Sequence, residues 1–146
     1  MLKMRHLSSQ DVEDMRHGFM QLAKIRSSIS EDLNQILHEC LILRGLLWLF
    51  ENGFGSEVVW EWNPRQTGSG GEPDLRGRVN GRIVVSAEAT ASEEPKGILD
   101  SRMRDTLKKL SGMEGEKFYF LCTDAMVNRA LTKIGKTVWP IRVVRV

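Results

Sequence analysis

Apolar residues recur at steps of three and four along the first third of the chain, which is the spacing of amphipathic helices. Residues 8–27 carry a narrow apolar stripe: Val12, Met15, Phe19, Leu22 and Ile25. A stripe this narrow is typical of a helical arm that docks on something else. The pattern therefore predicts an N-terminal helical arm over residues 1–29.

A second helix is predicted at Glu31–Glu51, with Ser30 as its cap. Its apolar positions form a wider face, which we expect to be buried: Leu33, Ile36, Leu37, Cys40, Leu41, Leu47 and Phe50. A wide apolar face is typical of a helix that packs on a domain core. This segment is predicted to be the core helix of a domain over residues 30–146.

The rest of the chain alternates strand-like and helix-like patterns. Strands are predicted at 57–62, from Pro73 onward, at Ile83–Ala89, at Lys117–Thr123 and at Ile141–Val146, and helices at 98–110 and 124–134. The order is helix, three strands, helix, strand, helix, strand, or αβββαβαβ. This order predicts an α/β domain in which helices flank a mixed central β-sheet.

Two acids, Asp74 and Glu88, lie on consecutive predicted strands, and the turn between the strands decides whether they share a face. A two-residue Asn80-Gly81 turn would place them on opposite faces. A three-residue Val79-Asn80-Gly81 turn, with the glycine in the left-handed conformation, would set Asp74 diagonal to Glu88 on one face.

The three-residue turn separates polar from apolar side chains almost completely. One face would carry Asp74, Arg76, Arg78, Ser86, Glu88 and Thr90, and the other Leu75, Gly77, Val79, Ile83, Val85, Ala87 and Ala89. This separation favours the three-residue turn. We therefore expect two carboxylates close enough to share a divalent cation, rather than solvated acids neutralised by neighbouring arginines.

Composition narrows the function classes only slightly. Of 146 residues, 41% are hydrophobic and 27% charged, and the net charge of +2 is too small to indicate nucleic-acid binding without a local cluster. The longest apolar stretch, Cys40–Phe50, contains Arg44 and is too short for a bilayer. Acids follow the N-terminal basic residues, and the two cysteines lack metal-ligand spacing. We expect a cytoplasmic protein with no membrane partner.

Pro73-Asp74, the second acid Glu88 and the element order together resemble the PD-(D/E)XK nuclease superfamily from about Ser30 to Val146. The resemblance implies a restriction-endonuclease-like core and a Mg²⁺ or Mn²⁺ ion. It also implies the metal ligands, which are Asp74, Glu88, the carbonyl of Ala89 and Glu39 on the preceding helix. The glycine-rich segment around Ser69 is similar to the mobile loop of resolvase-like members.

One position departs from the family pattern: Thr90 stands where the family has a lysine. A lysine there would orient the attacking water and stabilise charge on the phosphate, which a neutral hydroxyl does less well. A displaced cation would have to replace it. The sequence offers Lys96, Arg102 and Arg104 for this role.

The resemblance predicts a metal-dependent nuclease that hydrolyses DNA phosphodiester bonds. It is also compatible with a homodimer. Its catalytic residues would be Asp74, Glu88, Thr90 and Lys96, and its nucleic-acid-binding residues Ser69, Arg76, Arg102, Arg104 and Lys108. Thr90 favours an alternative, a catalytically degenerate module that binds nucleic acid or mediates assembly. The helix basic residues also fit ordinary ion pairs at four-residue spacing, such as Asp100 with Arg104.

Overall fold

The computed structural model describes residues 9–55, 57–63 and 71–146, with side chains in the first helix described from residue 13 onward except residue 15. A single helix, α1, runs from Ser9 to Glu51. The predicted break before residue 31 is wrong. Neither glycine nor proline occurs between Gly18 and Gly45, so nothing in the backbone opposes helix continuation through Ser30.

The chain divides into two compact units, residues 1–35 and 36–146. In the first unit the described apolar side chains face solvent, and Phe19, Leu22 and Ile25 are 70%, 63% and 54% exposed. The predicted stripe residues Val12 and Met15 have side chains outside the described part. The docking role of this arm stays a prediction.

The second unit is built on a sheet that has five strands within the described residues. They are β1 (Val59–Trp62), β2 (Leu75–Val79), β3 (Arg82–Thr90), β4 (Glu116–Leu121) and β5 (Ile141–Arg145), in spatial order β1-β2-β3-β4-β5. The first three are antiparallel, and β3, β4 and β5 are parallel. With the helices α2 (Ile98–Ser111) and α3 (Asp124–Ile134), this confirms the predicted α/β class, mixed sheet and element order.

Helices cover the sheet on two sides. Leu41, Ile42 and Leu49 of α1 join a buried cluster with Phe118 and Phe120 of β4. A second buried cluster comprises Met103, Leu107, Leu110, Tyr119, Leu121, Met126, Ala130 and Ile141, from α2, α3 and the sheet. Successive β4 residues alternate between the clusters, so the clusters lie on opposite faces.

The buried face of α1 differs from the predicted one. Leu41 was assigned correctly, but Ile36, Leu37, Leu47 and Phe50 are 45–58% exposed, Cys40 is exposed, and Leu33 in the first unit is 54% exposed. Instead Ile42, Gly45 and Leu49 face the sheet. Apolar residues surround this part of the helix on every side, so hydrophobic spacing could not select the correct face.

The β2–β3 connection also differs from the prediction. Val79 pairs with Arg82, so the turn is the two-residue Asn80-Gly81 turn, with positive φ at both residues (49° and 78°). The register then shifts between Gly77 and Arg78, because a β-bulge on β3 adds one residue. Ile83 consequently pairs with Arg78 and shares its face, contrary to the prediction.

Beyond the bulge, Leu75 pairs with Ala87. Extending this register by one residue places Asp74 directly opposite Glu88 on the same face of the sheet. The bulge therefore brings the two acids to one face of the sheet, which the three-residue turn was predicted to do. The aliphatic side chains Leu75, Val85, Ala87 and Ala89 join the α1 side of the core, as predicted.

Gly115, just before β4, is held in the left-handed region with φ of 77°, and an added Cβ would lie 2.5 Å from the Val84 carbonyl carbon. We expect Gly115→Ala to destabilise the fold by roughly 1–3 kcal/mol, because backbone strain and overpacking combine. Gly112→Ala is the control, since Gly112 has φ of −87° and its nearest contact is at 3.6 Å. Urea unfolding measures both; equal stability of the two variants would contradict the expectation.

Candidate functional site

The site centres on two carboxylates inside the second unit. Asp74, just before β2, is 2% exposed, and Glu88 on β3 is 3% exposed. The backbone N–H of Ala89 donates a hydrogen bond to Asp74 Oδ2 at 2.8 Å, which ties the first acid to the strand that carries the second. Burial of two neighbouring acids is costly unless positive groups compensate.

Each acid has a basic neighbour from a different helix. His38 Nε2 of α1 lies 3.6 Å from Asp74 Oδ1, and Lys109 Nζ of α2 lies 2.8 Å from Glu88 Oε1. The contact between Lys109 and Glu88 is an ion pair. Lys109 also donates to the Glu72 carbonyl at 2.7 Å, which fixes its position beside the acids.

The carboxyl pair perturbs the protonation of its surroundings. Burial, followed by the negative charge of Asp74, raises the pKa of Glu88 to about 7, although Lys109 opposes this rise. The contact with Asp74 raises the pKa of His38 against the opposing effect of burial. Burial also raises the pKa of Tyr119 to about 12, and the charges of Glu88 and Asp74 add to this. The site therefore favours added positive charge.

The raised Glu88 pKa predicts a pH-dependent stability for the metal-free protein. Between its ordinary value of 4.5 and its folded value of about 7, Glu88 binds more protons in the folded state. The free energy of unfolding should therefore fall as pH rises through this range, by about 3 kcal/mol from this group. Urea unfolding in EDTA at pH 4.5–8 measures it, with Glu88→Gln as the reference that lacks the ionisable group. Parallel pH profiles for the two proteins would refute the assignment.

Neither of the other predicted catalytic residues has a contact with Asp74 or Glu88 among the hydrogen bonds and ion pairs of the described residues. Thr90 Oγ1 lies 2.8 Å from the Tyr119 hydroxyl oxygen, on the α2 side of the sheet. Lys96 has a side chain that is 80% exposed and forms an ion pair with Glu94. The structure therefore gives Lys96 no contact with Asp74 or Glu88.

The predicted metal ligands are only partly assembled. Asp74 and Glu88 face each other, whereas Ala89 contacts Asp74 through its amide rather than through its carbonyl. Glu39 is half-buried beside His38 and contributes to that residue's raised pKa. Among the described residues, no three histidine, cysteine or acidic side chains form a group that could hold a metal ion.

The predicted nucleic-acid-binding residues do not converge on the acids. Arg76 pairs with Glu61 of β1, with 3.4 Å between Nη1 and Oε2. Arg102 and Lys108 are exposed on α2, and Arg104 borders a cavity between α2 and α3. Ser69 lies outside the described residues. Asp100 does not form the ion pair with Arg104 that helix spacing suggested. It forms ion pairs with two residues of α3, Arg129 and Lys133.

Sequence inspection missed the groups that contact the acids. His38 had a usable signal, because it precedes Leu41, Ile42, Gly45 and Leu49 at helical steps on the sheet-facing side of α1. Lys109 had a weaker one: it lies next to the buried Leu110, at the edge of the apolar face of α2. Tyr119, whose hydroxyl contacts Thr90, had no sequence signal beyond the apolar run around it.

Comparisons with protein-family models, with curated proteins and with solved structures found no match to this chain. No helix in the described part of the chain is long and apolar enough to cross a membrane. Functional inference therefore depends on the geometry of the acid pair and its neighbours.

Proposed function

We propose that the protein is a Mg²⁺-dependent nuclease that hydrolyses DNA phosphodiester bonds, with a restriction-endonuclease-like core. The observation that carries the proposal is the pairing of two buried carboxylates, Asp74 and Glu88, across adjacent strands, with a lysine ammonium 2.8 Å from the second acid. The order αβββαβαβ supports the same assignment.

The acid pair suits a hard divalent cation. Mg²⁺ is commonly bound through one or two carboxylates, with waters and substrate phosphates completing its coordination, so a third protein side chain is not required. Burial and, after it, the negative charge of Asp74 raise the pKa of Glu88, and a bound cation would favour the ionised form against both effects. Asp74 and Glu88 would be the principal ligands for Mg²⁺ or Mn²⁺. The Ala89 carbonyl and Glu39 stay candidates for additional ones.

Lys109 is the group best placed to replace the lysine that Thr90 does not provide. Its ammonium contacts Glu88, and its side chain is 23% exposed, whereas the acids are nearly inaccessible. A phosphate approaching the acids from solvent would meet this ammonium. A positive charge fixed there would stabilise negative charge that develops on the phosphate oxygens.

The remaining groups hold the acids in place. His38 neighbours Asp74, and its side chain is 25% exposed. The Ala89 amide fixes one oxygen of Asp74.

When bound, a divalent cation would act as a Lewis acid and lower the pKa of the attacking water.

A second candidate function is a degenerate member of the same fold that binds nucleic acid without cleaving it. Two observations favour it. The Thr90 hydroxyl is hydrogen-bonded to the Tyr119 hydroxyl, and the Lys109 ammonium forms an ion pair with Glu88 where a metal ion would bind. In that case the lysine substitutes for the metal instead of assisting it.

The two candidates are separated by incubating the full chain with single-stranded, duplex, flap and junction DNA, and with RNA, in Mg²⁺, Mn²⁺ or EDTA. The nuclease proposal predicts metal-dependent products that Asp74→Asn abolishes. Retention of DNA in a gel-shift assay without cleavage in any metal would support the binding module. Absence of both cleavage and binding would contradict both candidates.

A further inference from the structure

A polar cavity of about 370 Å³ lies between α2 and α3, away from the acid pair. Four basic side chains border it, together with one acid, two threonines and a tryptophan: Arg104, Arg129, Lys133, Lys136, Asp100, Thr132, Thr137 and Trp139. It shares no residue with the acid pair or with the groups that contact that pair.

The single carboxylate of this cavity holds two of its cations in place. Asp100 accepts hydrogen bonds from Arg129 at 2.6 and 3.0 Å and from Lys133 at 3.0 Å. These contacts hold the pKa of Asp100 far below its ordinary value, so the acid stays ionised. Arg129 and Lys133 are therefore positioned before any ligand arrives, which reduces the ordering cost of binding.

The other two cations are not engaged by the protein. Arg104 and Lys136 are exposed, and neither side chain has a hydrogen bond or ion pair within the described residues. One acid against four bases leaves an excess of three positive charges around one cavity. An excess of this size, in a concave site, favours a multiply charged anion over a single carboxylate.

We propose that this cavity binds a phosphate group, carried either by a free nucleotide or by the end of a nucleic-acid strand. A phosphate monoester carries nearly two negative charges and three acceptor oxygens at neutral pH. One arginine guanidinium group can donate hydrogen bonds to two phosphate oxygens at once, and a lysine ammonium contributes a compact positive charge. The volume suits a ligand of nucleotide size. Trp139 provides an apolar wall for the group that carries the phosphate.

The test is isothermal titration of the full chain at low salt with pyrophosphate and with AMP. The probe variant is Arg104→Ala/Lys136→Ala, which removes two exposed charges that have no described partner. The control is Lys24→Ala/Arg82→Ala, which removes the same charge from exposed positions elsewhere. We expect the Kd of pyrophosphate to rise at least about tenfold in the probe variant, because charge-assisted hydrogen bonds are lost. It should change less than about twofold in the control.

A paired oligonucleotide titration distinguishes the two sources of phosphate. Tighter binding of a 5′-phosphorylated oligonucleotide than of its 5′-hydroxyl counterpart assigns the cavity to strand ends, and binding of AMP alone assigns it to free nucleotides. No binding of any phosphate probe, or equal weakening in both double variants, would overturn the proposal. Asp74→Asn should bind pyrophosphate like the unmodified protein, so the outcome is independent of the nuclease proposal.

Discussion

Replacing Glu88 with glutamine is expected to lower the rate of metal-dependent DNA cleavage by roughly 10²–10³-fold, the range for loss of one well-placed electrostatic group. The substitution preserves size, so the buried position remains filled. It removes the charge that would hold the cation beside Asp74. Initial rates at several Mg²⁺ concentrations measure the effect. We expect the loss to persist at high Mg²⁺, because the ion that still binds would be misplaced relative to the phosphate.

The matched control for this substitution is Glu94→Gln, which removes an exposed acid paired with Lys96. It should leave cleavage unchanged within about twofold, since exposed ion pairs contribute little. Glu88→Gln that cleaves as fast as the unmodified chain would exclude Glu88 as a metal ligand.

Replacing Lys109 with methionine is the second substitution with a large expected effect. The ammonium is 2.8 Å from Glu88 Oε1, and no other described lysine contacts either acid. We expect the cleavage rate to fall by about 10²-fold, because the charge that would stabilise the phosphate is lost. Mg²⁺ affinity should stay equal or become tighter, because a competing cation has left Glu88. Single-turnover rates and metal titrations measure the two quantities separately.

Two further variants test whether Lys109 replaces the missing family lysine. Lys96→Ala should retain full activity, because its side chain is exposed and paired with Glu94. Thr90→Lys in the Lys109→Met background should recover part of the activity, because Thr90 and Glu88 lie two apart on one strand and project to the same face. Unchanged cleavage by Lys109→Met would remove Lys109 from the mechanism.

The sequence predicted the elements of the second unit well, because their order depends on hydrophobic periodicity and on turn residues that act locally. It failed where a local pattern allowed two outcomes. The turn at Asn80-Gly81 suited both two and three residues, and the β3 bulge that restores the shared face has no distinctive residue. The predicted helical break before residue 31 was wrong for a related reason. A serine caps a helix only at the helix N-terminus, and Ser30 lies inside α1.

The candidate site was predictable only as far as it lies within one hairpin. Asp74 and Glu88 were identified because the separation of polar from apolar positions favoured a register in which the two acids share a face, although the structure reaches that shared face through a β3 bulge and not through the predicted turn. Lys109 and His38 reach the acids from helices packed on the sheet, and the rotation of each helix decides which side chain arrives. That rotation depends on the packing of Leu107 and Leu110 on one side and of Ile42 and Leu49 on the other. Residue spacing along the chain does not contain this information.

Titration calorimetry with Mn²⁺ tests most directly whether Asp74 and Glu88 form a divalent-cation site. The unmodified chain should bind one ion, and at pH 7 binding should release protons, because Glu88 has a pKa of about 7 and must ionise to coordinate the metal. Repeating the titration in buffers of different ionisation enthalpy measures that release. The Asp74→Asn/Glu88→Gln variant should show neither binding nor proton release. Undetectable Mn²⁺ binding by the unmodified chain, or equal binding by the double variant, would contradict the assignment.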